Sequence, residues 1–259
     1  MLRLGLLLSP LLLVAADPSC PLPGYAYAWG DEFEGAKLDE GRWEQHEGQR
    51  GPSMCRKQNV ALRGGQLVLT GQNKGGTAYL PYSNAEVSSR RQFLYGYYEA
   101  SLKVPEVRGW QTSFHAVDAE EGVRGQLEIL SNDSLWPDRY RSQVSWYVPS
   151  KAMRPSSVVY TMDKQVWEAP VLSREYHVWG CEFTPEEVRI YFDGRLVGFA
   201  DARPFPHFDR RIRLQVGISS FLGSSPEAAV AEVAGHLVHK EVEGPAEACF
   251  DYVRFFARK

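Results

Sequence analysis

An all-β fold, a two-sheet antiparallel β-sandwich, is the class this chain predicts, on three observations. Segments rich in β-branched and aromatic residues recur along it, turn residues punctuate them, and helix-like periodicity is scarce. The strand signals fall, in order, at 66–70, 95–104, 176–183, 188–192, 213–218 and 250–256. Arg63-Gly64-Gly65 reads as a tight turn into the first of them. Asp193-Gly194 joins Arg189-Ile190-Tyr191-Phe192 to Arg195-Leu196-Val197 and has the signature of a type I′ hairpin, in which both central residues need positive φ. Residues 203–209 contain two prolines and read as a loop. One short helix is expected over 226–234, with Ser225 as its N-cap and Gly235 closing it.

The chain has 259 residues, 44% hydrophobic and 12% aromatic, enough for one large all-β domain, and neither a repeat nor a linker divides 17–259. With 29 basic and 32 acidic residues the formal charge is −3, a balance that gives no electrostatic case for a nucleic-acid partner. At the N-terminus Arg3 precedes an apolar run that ends in Val14-Ala15-Ala16, the pattern of a signal peptide over residues 1–16. That run is too short for a membrane span. A secreted, extracellular protein is therefore expected. Four cysteines remain, Cys20, Cys55, Cys181 and Cys249. Two disulfides are one reading, with three pairings open and a Cys20–Cys249 bridge that would tie the termini; a buried free thiol at Cys181 is the other.

Several spaced signatures then coincide. Trp29-Gly30-Asp31-Glu32-Phe33-Glu34-Gly35, with Leu38-Asp39 and Trp43, is followed by Ala85-Glu86-Val87-Ser88-Ser89 and by Phe93 to Ala100. Tyr176 to Pro185, the Asp193-Gly194 hairpin and Phe250-Asp251-Tyr252-Val253-Arg254-Phe255 complete the series. In order, over nearly the whole mature chain, they resemble glycoside hydrolase family 16, the laminarinase-, lichenase- and agarase-like β-jelly rolls. The resemblance implies a concanavalin A-like sandwich whose concave face forms a polysaccharide cleft. It also implies a candidate structural calcium, for which Asp251, the backbone at Gly65 and Glu32 stand in the matching places. No other cofactor is implied.

In that family a strand reading Glu-x-Asp-x-x-Glu carries the chemistry. Residues i and i+2 of a strand share a face, and a one-residue bulge returns i+5 to it. Retaining hydrolysis needs two carboxyl groups about 5–5.5 Å apart, one attacking and one donating a proton. Here the three places read Gln126, Glu128 and Ser131. An amide oxygen is too weak a nucleophile, and a serine hydroxyl cannot protonate a leaving oxygen usefully. Glu128 is the one retained acid and the only catalytic candidate; Asp118 and Asp133 are the acids that could swing in from nearby loops.

Glycan clefts favour aromatic platforms flanked by amide or carboxylate hydrogen bonders. The candidates for carbohydrate binding are Trp110, His115, Gln126, Glu128, Trp136 and Trp146, against a core role for each tryptophan; Trp29, Trp43 and Trp179 read as framework. Asn132-Asp133-Ser134 is a glycosylation sequon, and alternation aims Asn132 away from the cleft if Ser131 points into it. His236 and His239 lack the partnered acid of a metal pair. Gly217 to Phe221 lacks the second glycine of a nucleophile elbow.

The expectation is a secreted carbohydrate-binding protein on a hydrolase scaffold, with a β-linked polysaccharide or oligosaccharide as partner and hydrolysis lost. An active endo-glycosidase with relocated acids and a structural or interaction domain are the alternatives.

Overall fold

The computed structural model describes residues 17–118, 124–148, 157–161, 165–203, 212–219, 230–233 and 235–259. The signal-like segment 1–16, most of the loop expected at 203–209 and residues 226–229 of the expected helix lie outside the described residues. The strands β1 (Tyr25–Asp31), β2 (Trp43–Gln45), β3 (Gly48–Arg50), β4 (Ser53–Cys55), β5 (Val60–Leu62) and β6 (Leu67–Gly75) open the fold. β7 (Tyr82–Ser89), β8 (Gly96–Lys103), β9 (Gln111–Asp118), β10 (Arg124–Asp133), β11 (Arg139–Val148), β12 (Ser157–Thr161) and β13 (Gln165–Glu168) form its middle. β14 (His177–Phe183), β15 (Glu187–Phe192), β16 (Arg195–Asp201), β17 (Ile212–Ser219), β18 (Val230–Val233), β19 (His236–His239) and β20 (Ala246–Arg258) complete it.

These strands pair into two curled layers, as the all-β reading requires. One layer runs β2–β7–β17–β9–β10–β11, with β12 and β13 side by side along the far edge of β11. The other centres on β20, which has β8 along one edge and β6 then β1 along the other; β14, β15 and β16 continue outward from β8. β6 also pairs with β7, and the β3–β4 hairpin meets β7 in a short parallel ladder, which links the layers into one 18-stranded sheet.

The core lies between the layers. Alternation along β8 turns Tyr98, Ala100 and Leu102 into it, and β14 adds Trp179, Cys181 and Phe183. The tryptophans of the opening signature pack there: Trp29 sits edge-on to Trp43 at 5.2 Å and to Phe93 at 5.1 Å. Asp31 fixes this corner, accepting from the Phe33 amide (2.9 Å) and from Trp43 Nε1 (2.8 Å). The Asp193-Gly194 turn has positive φ at both residues, 47° and 75°, as its sequence requires. Its aspartate is also tied sideways, accepting from the Val178 amide at 2.9 Å and lying 2.8 Å from His177 Nδ1.

Three expectations are corrected. The described part of the expected helix is strand β18, which hairpins with β19; Gly235, at φ 80°, turns the chain back instead of capping a helix. All four cysteines are free. Cys181 is buried in the main core, Cys20 packs on the outer face of the β20 layer beside Tyr97 and Phe256, Cys55 lies on β4, and Cys249 is on β20 beside Tyr176. Burial pushes the Cys55 thiol up to about 12, so it stays protonated.

The calcium reading loses one of its ligands. Both carboxylate oxygens of Glu32 are taken by the Arg254 fork, at 2.9 and 2.6 Å. Asp251 is exposed at a bulge of β20, and among the described residues no group of three His, Cys, Asp or Glu gathers around one point. That leaves Asp251 as the one carboxylate of the expected set, where a hard cation needs several oxygen ligands.

Two outcomes follow. Asp31→Ala strips acceptors from two donors around a fully buried tryptophan, and should cost about 2 kcal/mol, read as a lower urea midpoint at unchanged m. Glu99 is buried on the outer face of the β20 layer, and desolvation pushes its carboxyl up against the pull of Tyr252, Arg254 and Tyr97. The native state therefore holds this proton more tightly than the unfolded chain. Its contribution to stability is full below the unfolded value and is lost as pH rises through the native one. Melting curves from about pH 4 to 7 should show that loss in the parent and not in Glu99→Gln; identical pH profiles would refute it.

Candidate functional site

The face of β2, β7, β17, β9, β10 and β11 turned away from the core is the open face, and β10 sets its centre. Paired with β9, this strand runs Gln126–Val117, Leu127–Ala116 and Glu128–His115, then slips by one residue to Leu130–Phe114 and Ser131–Ser113. The slip against β11 falls in the same place. This is the bulge that the motif needs. Leu127, Ile129 and Leu130 are fully buried in the core, while Gln126, Glu128 and Ser131 share the open face.

Around Glu128 the decisive partner is Arg141, on β11. Its Nη2 donates to Glu128 Oε1 at 2.8 Å and to Ser131 Oγ at 3.1 Å. The side chains are 17% and 11% exposed, so the pair is largely withdrawn from solvent. Gln111 Nε2 donates to Ser131 Oγ at 2.8 Å. Gln126 Nε2 lies 3.4 Å from His115 Nδ1. The place of a proton donor is thus held by a hydroxyl that accepts twice, from an amide and a guanidinium.

Other acids on this face are distant or engaged. Glu86, on β7, is three strand spacings from β10, about 14 Å away, well beyond the spacing of a glycosidase pair. It lies 3.5 Å from both His46 Nε2 and Arg50 Nε. Asp133 is two residues past Ser131, and His239 of β19 sits on it at 2.9 Å, with the histidine 1% exposed. The side chain of Asp118 lies outside the described residues.

The predicted sugar platforms divide. Trp110 is fully buried, and its ring lies 2.4 Å from where a side chain on Gly71 of β6 would begin, so it packs on the opposite layer. It is core, not platform. His115 faces Glu128 across the ladder. Trp136, in the turn between β10 and β11, is half-buried with the Arg139 guanidinium 5.5 Å over its ring. Of Trp146 only the backbone pairings with Gly125 and Tyr160 are described.

Asn132 is fully buried, and its Nδ2 donates to the carbonyls of Trp136 (3.2 Å) and Arg139 (2.7 Å). That nitrogen is where a glycan would be joined, so the sequon is structural. The residues that sequence reading missed are Arg141, Gln111 and the His239–Asp133 contact. Arg141 had a signal: polar residues at 139, 141, 143 and 145 alternate along β11, which put Arg141 on the face of Ser131.

A family model for glycosyl hydrolases family 16 matches residues 48–229. The chain is 25% identical over 222 residues to a β-glucanase of Rhodothermus marinus, covering 76% of this chain and 73% of that enzyme. It is 23% identical over 197 residues to a β-glucanase of Acetivibrio thermocellus, covering 73% of this chain but only 55%, about half, of that enzyme's length. A solved structure from endo-acting O-glycanases that prominent members of the human gut microbiota express to initiate mucin breakdown superposes with a TM-score of 0.73, at 22% identity, over 93% of this chain and 94% of the other. At that identity the superposition speaks for the fold alone. The family model spans well over half of the sequence and agrees with the two-layer architecture; the chain belongs to glycosyl hydrolases family 16.

Proposed function

We propose that this chain is a secreted carbohydrate-binding protein that holds a β-linked polysaccharide on its open face without hydrolysing it. The observation that carries the reading is the ion pair of Glu128 with Arg141, flanked by Gln126 and Ser131. Retaining hydrolysis needs an attacking carboxylate and a proton donor on opposite sides of one bond. Among the described side chains, Glu128 has no second carboxyl at that spacing, and its own charge is committed to a guanidinium. Loss of general acid catalysis alone raises a barrier by about 3–5 kcal/mol, and loss of the nucleophile closes the two-step route.

The polar groups that remain suit hydroxyl recognition. Gln126, His115 and Gln143 lie along the row beside Glu128, and Trp136 stands at the turn that rims the face. Secretion is supported by the pattern of residues 1–16. The two bacterial relatives are β-glucanases, which makes β-glucans the first ligands to try.

Affinity electrophoresis and reducing-end assays on laminarin, lichenan, agar and carrageenan test the proposal together. Retarded migration without new reducing ends is the expected result. Hydrolysis at ordinary enzymatic rates that Glu128→Gln abolishes would overturn it in favour of relocated acids, and failure to bind any glycan would favour an interaction domain. The ion pair has its own test. Arg141→Met strands a largely buried carboxylate and should cost roughly 3 kcal/mol in chemical denaturation, most of which Arg141→Met/Glu128→Gln recovers. Equal losses in the single and double variants would show that the pair does not matter to the fold.

A further inference from the structure

We infer that the depression beside the β7–β8 connection is a second binding site, for a tetrahedral oxyanion, the phosphate or sulfate end of an organic ester, with Arg90 and Arg91 as the recognising residues. It lies past the last residue of β7, three strands from the motif on β10, and stands independently of the glycan-binding reading.

Shape is the first support. Residues 90–95 carry the chain from β7, in one layer, to β8, in the other. Arg90, Arg91, Gln92, Phe93 and Leu94 from this crossing, with Phe255 of β20, line a depression of about 540 Å³. Small-molecule sites commonly span roughly 300–1,000 Å³. A bare ion would leave most of that space unfilled, whereas an ester could lay its organic part against Leu94, which is half-buried and backed by the core rings of Phe93 and Phe255.

Charge is the second. The lining contains two exposed arginines and no acid. Among the described residues neither Arg90 nor Arg91 has an ion-pair partner, whereas the neighbouring Arg42 has Asp39 at 3.4 Å. Glu40 meets Arg90 through its backbone carbonyl, not through its carboxylate. The positive charge at the depression is therefore uncompensated.

Anchoring is the third. Arg90 Nε donates to the Glu40 carbonyl at 2.5 Å, and Arg91 Nη1 donates to the Ala28 carbonyl at 2.8 Å. The Arg91 guanidinium also lies over the Phe93 ring, 5.6 Å from its centre. Their backbone is tied as well. The Arg90 amide donates to the Arg42 carbonyl, and the buried Ser89 hydroxyl donates to the Arg91 carbonyl, both at 2.8 Å. A neutral carbonyl fixes a guanidinium without cancelling its charge. Each anchor uses one nitrogen, and the other N–H groups of both forks remain for a ligand. Two forks held at separate points can share the several oxygens of a phosphate or sulfate, where a planar carboxylate is satisfied by one.

Calorimetric titration with phenyl phosphate, phenyl sulfate, benzoate and benzyl alcohol tests the site. The proteins are the parent chain, Arg90→Gln/Arg91→Gln, Arg90→Lys/Arg91→Lys, and Arg63→Gln, whose arginine pairs with Glu247 elsewhere. At least one of the two esters should bind the parent about tenfold or more tighter than benzoate, a difference of about 1.4 kcal/mol, and benzyl alcohol should not bind. The better ester identifies phosphate or sulfate. Its affinity should fall about tenfold or more in the glutamine pair and nearly as far in the lysine pair, which keeps the charge but loses the forks. Arg63→Gln should match the parent. The inference falls if neither ester binds the parent, if benzoate binds as well as the esters, or if the folded glutamine pair keeps the affinity. It falls also if the lysine pair binds like the parent, which marks diffuse charge and not a built site. Should the glutamine pair fail to fold, judged by its melting curve, the lysine pair decides, because an ammonium can still reach the Glu40 and Ala28 carbonyls.

Discussion

Strand β10 must present side chains at 126, 128 and 131 to the same face, and strict alternation cannot do this, because the step from 128 to 131 is odd. The bulge between Glu128 and Ser131 resolves the conflict by opposing an extra residue to both neighbouring strands. Its consequences spread outward. Ile129 and Leu130 both enter the core, Asn132 is turned inward to cap the turn before β11, and Asp133 emerges under His239. Register with β11 then places Arg141 opposite Ser131 rather than beside an apolar residue. Without the extra residue, Leu130 would stand on the open face opposite Arg141, in the place that Ser131 holds.

Much of this was legible in the chain. Runs of aromatic and β-branched residues located β6, β8, β14, β15, β17 and β20 to within a few positions, because strands buried on one face need such residues wherever they occur. The Asp193-Gly194 hairpin was legible for a stereochemical reason, two consecutive positive φ angles. Short strands such as β3, β4 and β18 were not, since they owe their pairing to neighbours rather than to their own composition. The four cysteines illustrate the same limit: count and compartment suggested bridges, but Cys20, Cys55, Cys181 and Cys249 belong to separate parts of the two layers.

The misread site residues share one physical cause. Trp110 and His115 cannot both face the cleft, because five positions along a regular strand reverse the side. Placing His115 beside Glu128 was therefore sufficient to send Trp110 into the core. Asn132 was aimed away from the cleft, and in a two-layer sandwich that direction leads to the other sheet, not to solvent. Alternation gave the right answer in both cases once the far side was recognised as buried. Arg141 escaped because it lies ten residues beyond Ser131, across a turn whose length had to be known before the register could be drawn.

The Glu128–Arg141 pair is better understood as a positioning device than as a source of stability. Drawing two charges out of water is expensive, and apolar residues of the same size would often serve the fold as well or better. What an apolar pair could not supply is a guanidinium fixed in direction. Arginine on an exposed strand ordinarily loses considerable rotamer freedom when it grips a ligand. Here Glu128 and Ser131 have already removed that freedom in the free protein, so a ligand oxygen meets a donor whose ordering cost has been met. The carboxylate at the middle place of the motif, flanked by an amide and a hydroxyl where the reaction needs acids, thus serves to aim the arginine beside it.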